Sequence, residues 1–246
     1  MPATPAWPQK SLSRLFVRAQ LAEGVRIELD GGQANYLGNV MRLREGAELF
    51  VFDGQSGEWL ARIVEAGKKR MALAIEQRTR EPEAISDVWV AFAPVKRNQT
   101  DWLVEKATEL GAAKLIPVMT QRTIAERVKL ERLEAIAIEA AEQCGRTRLP
   151  AIAEPIALRN FLGTRERSRN LYFADEAGGE PAASAFRPGA ATILIGPEGG
   201  FTDEERDAIR GAENAVPISL GPRILRAETA ALAALAAYMA VAGDWR

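Results

Sequence analysis

The sequence predicts an α/β protein with two domains, a small β-barrel followed by a parallel sheet that carries helices on both faces. Up to about Glu76, apolar and polar residues alternate in short segments separated by glycine-containing turns such as Asp53-Gly54. After Asp87 the order becomes strand, helix, strand, which is typical of a parallel sheet. A chain of 246 residues can bury a real core as one large domain or two modest ones.

Five segments of the first domain show the period of two that β-strands require. Their sequences are RLFV, VRIEL, ELFVFDG, GEWLARIVE and MALAIE. One helical segment, residues 33–43, interrupts them, and a small β-barrel is the architecture that such short strands favour. The polar segment 77–86 contains Pro82 and is predicted to be a linker, so the predicted domains are 1–76 and 87–246.

The second domain alternates buried strands with amphipathic helices. The strand VWVAFA precedes a helix over residues 98–111, with Asn98 as the predicted N-cap and Gly111 at its end. The strand KLIPVM, a helix over residues 128–143 and the strands LYFA, TILIG and VPISLG follow. Thr202 and Glu205 have the spacing of a capping box and therefore predict the start of another helix.

The composition excludes several kinds of chemistry. The net charge is −1, so any surface that binds nucleic acid must be a local basic patch. The sequence contains no histidine, which removes histidine-ligated metals and imidazole bases, and we expect no metal site. Cys144 is the single cysteine, and without a histidine to activate it we expect a core thiol. With no secretory signal and no apolar segment long enough to span a bilayer, we expect a cytoplasmic protein.

Two loops rich in glycine and proline follow strands in the last third of the chain. They lie in LIGPEGGFTDEE, which starts at Leu194, and in SLGPRILRAETAALAALAA, which starts at Ser219. Ligands of open α/β sheets bind outside the carboxyl ends of the strands, and glycine lets a ligand approach the backbone closely. Neither loop has the spacing of a P-loop or of a dinucleotide-binding fingerprint. From the residues alone, a shared ligand pocket and a pair of structural turns remain alternatives.

These two loops in combination resemble the C-terminal motifs of the ribosomal RNA small-subunit methyltransferase E family, which belongs to the SPOUT class. The segments PVKRNQTDWLVEKATELG, EAAEQCGRTRLPAI and RLFV resemble further parts of that family, so the resemblance covers nearly the whole chain. It implies a PUA-like barrel followed by a trefoil-knotted α/β domain. It also implies a homodimer that uses S-adenosylmethionine to methylate N3 of a uridine in 16S rRNA of the small ribosomal subunit. One departure is Tyr36, where we expect the family to carry a histidine.

The resemblance suggests roles for residues of both loops. The carboxylates of Glu198 and Glu228 are candidates to take the proton from uracil N3, and Arg223 and Arg226 are candidates to stabilise charge on the uracil carbonyls. A water or an arginine-stabilised imidate is an alternative to a carboxylate base. For each of the four residues, a structural role, either buried or paired with arginine at the surface, is an alternative to catalysis. The adenine of the cofactor would be held at the ends of three strands, mostly by backbone groups at Phe173, Gly196, Leu220 and Leu225. The other predicted cofactor-binding residues of the two loops are Pro197, Gly199, Gly200 and Gly221.

Basic residues beside predicted turns suggest a local track for RNA phosphates. The candidates are Arg14, Arg18, Arg42, Arg44, Lys96, Arg97, Arg146 and Arg148, although each by itself is typical of a solvated surface. Two other functions stay open: a non-catalytic RNA-binding assembly factor, and a methyltransferase that acts on a ribose 2′-hydroxyl or a tRNA base. The last helix, residues 227–242, has small apolar residues on almost every face, so we expect a partner subunit to cover part of it.

Overall fold

The structure is a computed structural model that describes residues 12–67, 70–124 and 127–245. Contacts divide the chain into two compact units. The first comprises the residues up to Ala84 together with Ala141–Arg148, and the second comprises Ile85–Ala140 together with the residues from Leu149 onward. The domain boundaries given by the sequence remain a prediction, and the segment 77–86 is not a loop throughout, because its first four residues are paired in a strand.

A five-stranded sheet with the order β1-β3-β4-β5-β2 forms the first unit. Strands β1 and β3 are parallel, and the other pairs are antiparallel. The strands are β1 (Arg14–Phe16), β2 (Arg26–Glu28), β3 (Glu48–Phe52), β4 (Glu58–Ala66) and β5 (Met71–Arg80). All five strands were predicted from the alternation of apolar residues, and the structure shows that these apolar residues face the core. Alternate side chains, such as Leu49 with Val51 and Leu73 with Ile75, are buried in one apolar core.

The helical segment of this unit begins earlier and ends sooner than the sequence predicts. Helix α1 (Gly31–Asn35) is capped by Asp30, whose Oδ1 accepts a hydrogen bond from the Gln33 N–H at 2.8 Å. A π-helical turn, Tyr36–Val40, continues it. Leu37 of this turn is fully buried, whereas Tyr36 and Val40 are exposed. The turn therefore anchors one side chain in the core and presents others to solvent.

The second unit contains an all-parallel sheet, as the alternation of strands and helices predicts. Its order is β11-β13-β10-β12-β6-β7-β8, and β9 pairs with β7. The strands are β6 (Val88–Phe92), β7 (Lys114–Met119), β8 (Ala151–Ile152), β9 (Ile156–Ala157), β10 (Asn170–Ala174), β11 (Glu180–Pro181), β12 (Ala191–Ile195) and β13 (Ala215–Ser219). Every residue of β12 is buried, because helices cover both faces of the sheet.

Six helices accompany this sheet. They are α2 (Arg97–Glu109), α3 (Leu130–Cys144), α4 (Leu158–Thr164), α5 (Ala182–Ala185), α6 (Asp203–Arg210) and α7 (Ala227–Val241). One apolar cluster joins α2, α5 and α7 to β6 and β12, and a second joins α4 and α6 to alternate residues of the same strands. The N-cap of α2 is Lys96 rather than Asn98, which lies inside the helix. The capping box of Thr202 and Glu205 is confirmed at the start of α6.

The trefoil knot expected for this unit stays a prediction, since strand order and pairing do not test it. In the ranges that the structure describes, no helix is long and apolar enough to cross a bilayer. Among those same residues, no three or more histidine, cysteine, aspartate or glutamate side chains cluster in a way that would hold a metal ion.

Candidate functional site

A cleft of about 280 Å³ lies at the carboxyl ends of three neighbouring strands, β10, β12 and β13. Both glycine loops contribute to its wall, because one follows β12 and the other follows β13. Ile195, Ile218 and Leu225 supply apolar surface, while Asp175 and Glu176 supply carboxylates. The structure therefore brings the two loops together, as expected when parallel strands end at one edge of a sheet.

The first loop, Gly196–Gly200, packs against the Phe201 ring and the Glu176 carboxylate. The Gly200 N–H donates to the Pro197 carbonyl at 2.9 Å, and a φ of +67° at Gly200 completes the turn. A Cβ at position 200 would collide with the Glu176 carboxylate. A Cβ at position 196 would lie 3.1 Å from the ring of Phe201, which is buried under the loop. Side chains at these two positions would therefore disturb the wall of the cleft.

The second loop, residues 220–226, leads into the N-terminus of α7. Gly221 has a φ of +108°, and its N–H donates to the Ser219 hydroxyl at 3.3 Å. Arg223 and Ile224 are exposed, and both line the cleft. Glu228 lies in the first turn of α7 and is only 7% exposed. Its negative charge is favoured there by the positive end of the helix dipole.

Acidic and basic residues at the end of β10 form a second wall, which the sequence interpretation missed. Asp175 is almost fully buried, and its carboxylate accepts hydrogen bonds from Arg210 at 2.6 and 3.0 Å and lies 3.2 Å from Arg206. Arg206 also donates to Glu176 at 2.9 Å. The sequence signal was present, since the carboxylates of ADEAGG come directly after the strand LYFA. Ligands bind outside the carboxyl ends of parallel strands, and this rule, applied to the end of β10 as it was to β12 and β13, would have selected Asp175 and Glu176.

The cleft contains most of the predicted catalytic and cofactor-binding residues. Those that line it are Glu198, Arg223, Gly196, Pro197, Gly200, Leu220, Gly221 and Leu225. Phe173 does not, because its side chain is fully buried in the core and both edges of its strand are paired; the next residues, Ala174 and Asp175, line the cleft instead. Gly199 faces away, and its carbonyl accepts a hydrogen bond from Arg122 at 2.7 Å.

Arg226 and Glu228 also lie outside the lining of the cleft. Arg226 is the exposed N-cap residue of α7, and its carbonyl accepts the first hydrogen bond of that helix from the Ala230 N–H at 2.8 Å. Glu228 is buried one step further along the helix. Of the four predicted catalytic residues, the structure therefore places Glu198 and Arg223 at the cleft.

Two of the eight predicted RNA-binding residues serve the interior of the first unit, which corrects the sequence interpretation. Arg14 donates to Glu58 and to the carbonyls of Ala141, Glu142 and Arg146, and its side chain is 12% exposed. Arg146 is 6% exposed and donates to Glu83. These guanidinium groups donate to protein partners and expose little surface, which argues against the predicted role as phosphate ligands.

The other six predicted RNA-binding residues divide between the two units. Arg18, Arg42 and Arg44 are exposed on the first unit, and Arg148 of that unit is half-buried. Lys96 and Arg97 are exposed on the second unit, at the start of α2. Cys144, predicted to be a core thiol, is only half-buried at the end of α3.

The comparisons with known proteins agree with this architecture. Residues 81–239 match the model of an RNA methyltransferase domain, and residues 29–76 match that of an RNA methyltransferase PUA domain. With these two matches, the all-parallel sheet and its cleft at adjacent strand ends are those of an RNA methyltransferase of the SPOUT class.

Individual relatives narrow this class to one family. Over 230 residues, the chain is 34% identical to ribosomal RNA small subunit methyltransferase E of Rickettsia conorii, covering 91% of this chain and 93% of that protein. A methyltransferase structure from Legionella pneumophila with bound SAM has a TM-score of 0.87 and 30% identity, covering 95% of this chain and 99% of that one. Ribosomal RNA small subunit methyltransferase E from Neisseria gonorrhoeae, bound to S-adenosyl methionine, has a TM-score of 0.86 and 29% identity, covering 96% and 100%. The chain belongs to the ribosomal RNA small subunit methyltransferase E family.

Proposed function

We propose that the protein uses S-adenosylmethionine to methylate N3 of a uridine in 16S rRNA, and that it acts as a cytoplasmic homodimer. The observation that carries this proposal is the cleft at the ends of β10, β12 and β13, which both glycine loops line. Family membership supports the same activity, because relatives of similar length carry the name of small-subunit rRNA methyltransferases and two related structures contain the cofactor.

The lining of the cleft fits S-adenosylmethionine. Ile195, Ile218 and Leu225 offer an apolar surface for the adenine ring, and the glycine loops expose backbone groups for its nitrogen atoms. Glu176 supplies a polar group to the same cleft: its half-exposed carboxylate can accept hydrogen bonds from ribose hydroxyls or interact with a positive charge. Arg206 donates to this carboxylate and so holds it in place. When bound, the cofactor supplies an electrophilic methyl group on a positively charged sulfur.

Glu198 is the carboxylate best placed to take the proton from uracil N3. It is exposed, lies on the first glycine loop and lines the cleft. Glu228 is less suited to this role, since it is buried outside the lining. Arg223 is exposed at the same cleft and can stabilise the negative charge that spreads to the uracil carbonyls after N3 loses its proton. Most of the rate enhancement would then come from positioning the nucleophile in line with the methyl group.

The first unit offers exposed cations for RNA. Arg42 and Arg44 follow the π-helical turn that also exposes Tyr36, so phosphate-binding and base-stacking groups lie within a few residues of one another. Arg18 adds a further exposed cation to this unit. On a chain with a net charge of −1, a local set of exposed cations such as Arg42 and Arg44 is what an RNA-binding surface would require.

Helix α7 supports the proposal of a homodimer. Its Ala233, Ala236 and Ala237 are half-buried, and Val241 is 37% exposed. Trp102 on α2, a helix that packs against α7, is 43% exposed. A partner subunit would remove this apolar surface from water, and the small alanine side chains would allow close approach.

Mapping the modified nucleotide tests the proposed reaction. Small subunits and naked 16S rRNA from a strain that lacks the protein are incubated with the purified protein and S-adenosylmethionine, and nucleosides are then identified by mass spectrometry. We expect one N3-methyluridine at a single position. A 2′-O-methyl nucleoside or a product in tRNA alone would contradict the proposed target. Calorimetry that shows no cofactor binding at high micromolar concentrations would favour a non-catalytic assembly factor.

A further inference from the structure

A second cavity, of about 390 Å³, lies in the same unit as the cofactor cleft. It lies at the N-terminal ends of α2 and α3, and its volume is within the range of roughly 300–1,000 Å³ that is usual for small-molecule sites. Glu198 lines both this cavity and the cofactor cleft. The two spaces therefore meet at the carboxylate that is the candidate base.

The rim of this cavity is strongly cationic. Five basic residues line it, against the two carboxylates Asp101 and Glu198; the basic residues are Lys96, Arg97, Arg127, Lys129 and Arg132. Arg132 is paired with Asp101, with nitrogen–oxygen distances of 2.6–3.1 Å. No ion pair or side-chain hydrogen bond joins Lys96, Arg97 or Lys129 to another residue within the described parts of the chain. An excess of cations thus lines one half-open cavity.

The backbone adds to this positive potential. Helix α2 has thirteen residues, no acidic residue in its first turn and no side chain that caps it. Helix α3 also starts at the cavity, directly after Lys129. The N-termini of both helices therefore present partial positive charge to the same space as the cationic side chains.

The floor of the cavity is apolar. Pro94, Val95, Val128 and Leu133 line it, and Val95 and Leu133 are almost fully buried. The Thr100 hydroxyl is already occupied, since it donates to the Val95 carbonyl at 3.1 Å. An apolar floor under a cationic rim suits a ligand with a flat ring and a phosphate, and a nucleotide of RNA has both.

We infer that this cavity receives the target nucleotide after it has left its stack, with its base on the apolar floor and its flanking phosphates on Lys96, Arg97 and Lys129. This inference rests on the proposed function and adds the substrate subsite to it. A base within folded RNA must be extruded before its N3 atom is accessible. Because Glu198 lines both spaces, a base that reaches from the cavity to the methyl donor would have this residue beside its N3 atom, with N3 itself directed at the methyl group.

Charge reversal tests the rim of the cavity. The variants Lys129→Glu and Arg97→Glu are compared with Lys129→Arg and with Arg159→Glu, a reversal at an exposed arginine on α4 that lines neither cavity. We expect each pocket variant to weaken binding of the substrate RNA on the order of ten-fold, and to reduce the slope of log affinity against log salt concentration by about one. Lys129→Arg and Arg159→Glu should keep wild-type RNA affinity, and all variants should keep wild-type calorimetric affinity for S-adenosylmethionine.

Wild-type RNA affinity and salt slope in both reversal variants would overturn the inference, whereas a wild-type protein that methylates no rRNA would overturn the proposed function instead. A second measurement needs no variant. Substrate RNA with 4-thiouridine at the mapped target position is photocrosslinked to the wild-type protein, and the attached peptide is identified by mass spectrometry. Crosslinks within residues 94–101 or 127–133 support the inference, and crosslinks only to other segments refute it.

Discussion

Replacing Arg14 with methionine is expected to destabilise the first unit strongly, because this arginine joins distant parts of it. Its Nε donates to the Glu58 carboxylate at 2.8 Å. Its two terminal nitrogens donate to three carbonyls at the end of α3 and just beyond it, at 2.6 Å to Ala141, 3.1 Å to Glu142 and 2.8 Å to Arg146. The Ala141 and Glu142 carbonyls lie in the last turn of α3, where the helix does not supply a backbone N–H to every carbonyl, and the Arg146 carbonyl lies just beyond it.

The size of the effect follows from the burial of the partners. The side chains of Arg14 and Glu58 are only 12% and 6% exposed. Removing one partner of a buried ion pair costs about 3–5 kcal/mol, because the remaining charge is left without compensation. Glu58 would keep Arg80 at 3.5 Å and the Thr79 hydroxyl at 3.3 Å, which lowers the cost, while the lost bonds to the helix carbonyls raise it. We therefore expect a total loss of about 3–5 kcal/mol in the free energy of unfolding of this unit.

Hydrogen exchange followed by mass spectrometry measures this loss locally, in peptides that cover β3 and β4. A loss of 3–5 kcal/mol corresponds to exchange that is faster by roughly two to three and a half orders of magnitude. The matched control is Arg26→Met, which removes a largely exposed ion pair with Glu65 in the same sheet and should cost about 0–1 kcal/mol. If Arg14→Met accelerates exchange no more than Arg26→Met does, the structural interpretation of Arg14 is wrong.

Three further changes test other parts of the molecule. Gly196→Val should weaken binding of S-adenosylmethionine at least about ten-fold, because the new side chain would press on the Phe201 ring under the loop; calorimetry with wild-type affinity would contradict the assignment of the cleft. Burial raises the pKa of Asp53, but hydrogen bonds such as that from the Ser56 N–H lower it, and the net pKa lies below its ordinary value of 3.8. The ionised carboxylate therefore stabilises the fold above pH 3.8, and this contribution is lost as the pH falls through the lowered pKa. Asp53→Ala should therefore cost about 1–2 kcal/mol at pH 7 and progressively less under strongly acidic conditions, and a pH-independent difference in urea titrations would refute this. Ala237→Glu should convert the proposed dimer into a monomer of 26.8 kDa by light scattering, and a dimer of unchanged stability would count against α7 as the contact.

The sequence by itself predicted the longer strands and most of the longer helices, and it offered the strand ends with glycine loops as one candidate place for a ligand cleft. The alternation in ELFVFDG and MALAIE predicted strands β3 and β5, because each residue that points to the core follows the last by two positions. The capping box, a motif of four residues from Thr202 to Glu205, correctly predicted where α6 begins. Glycine loops directly after two strands located the cleft, since parallel strands end at a common edge. All of these signals are local.

Only the tertiary structure decided which charged residues face solvent and which belong to the interior. Arg14 and Arg146 look like other surface arginines in the sequence, yet Arg14 donates to the Arg146 carbonyl across 132 positions of chain. Glu228 precedes a run of alanines and was expected at the cleft, but the packing of α7 buries it. The second cavity depends on Lys96 and Lys129, which directly precede two separate helices, α2 and α3. The burial of a charge depends on the elements that pack around it, and no short stretch of sequence contains that information.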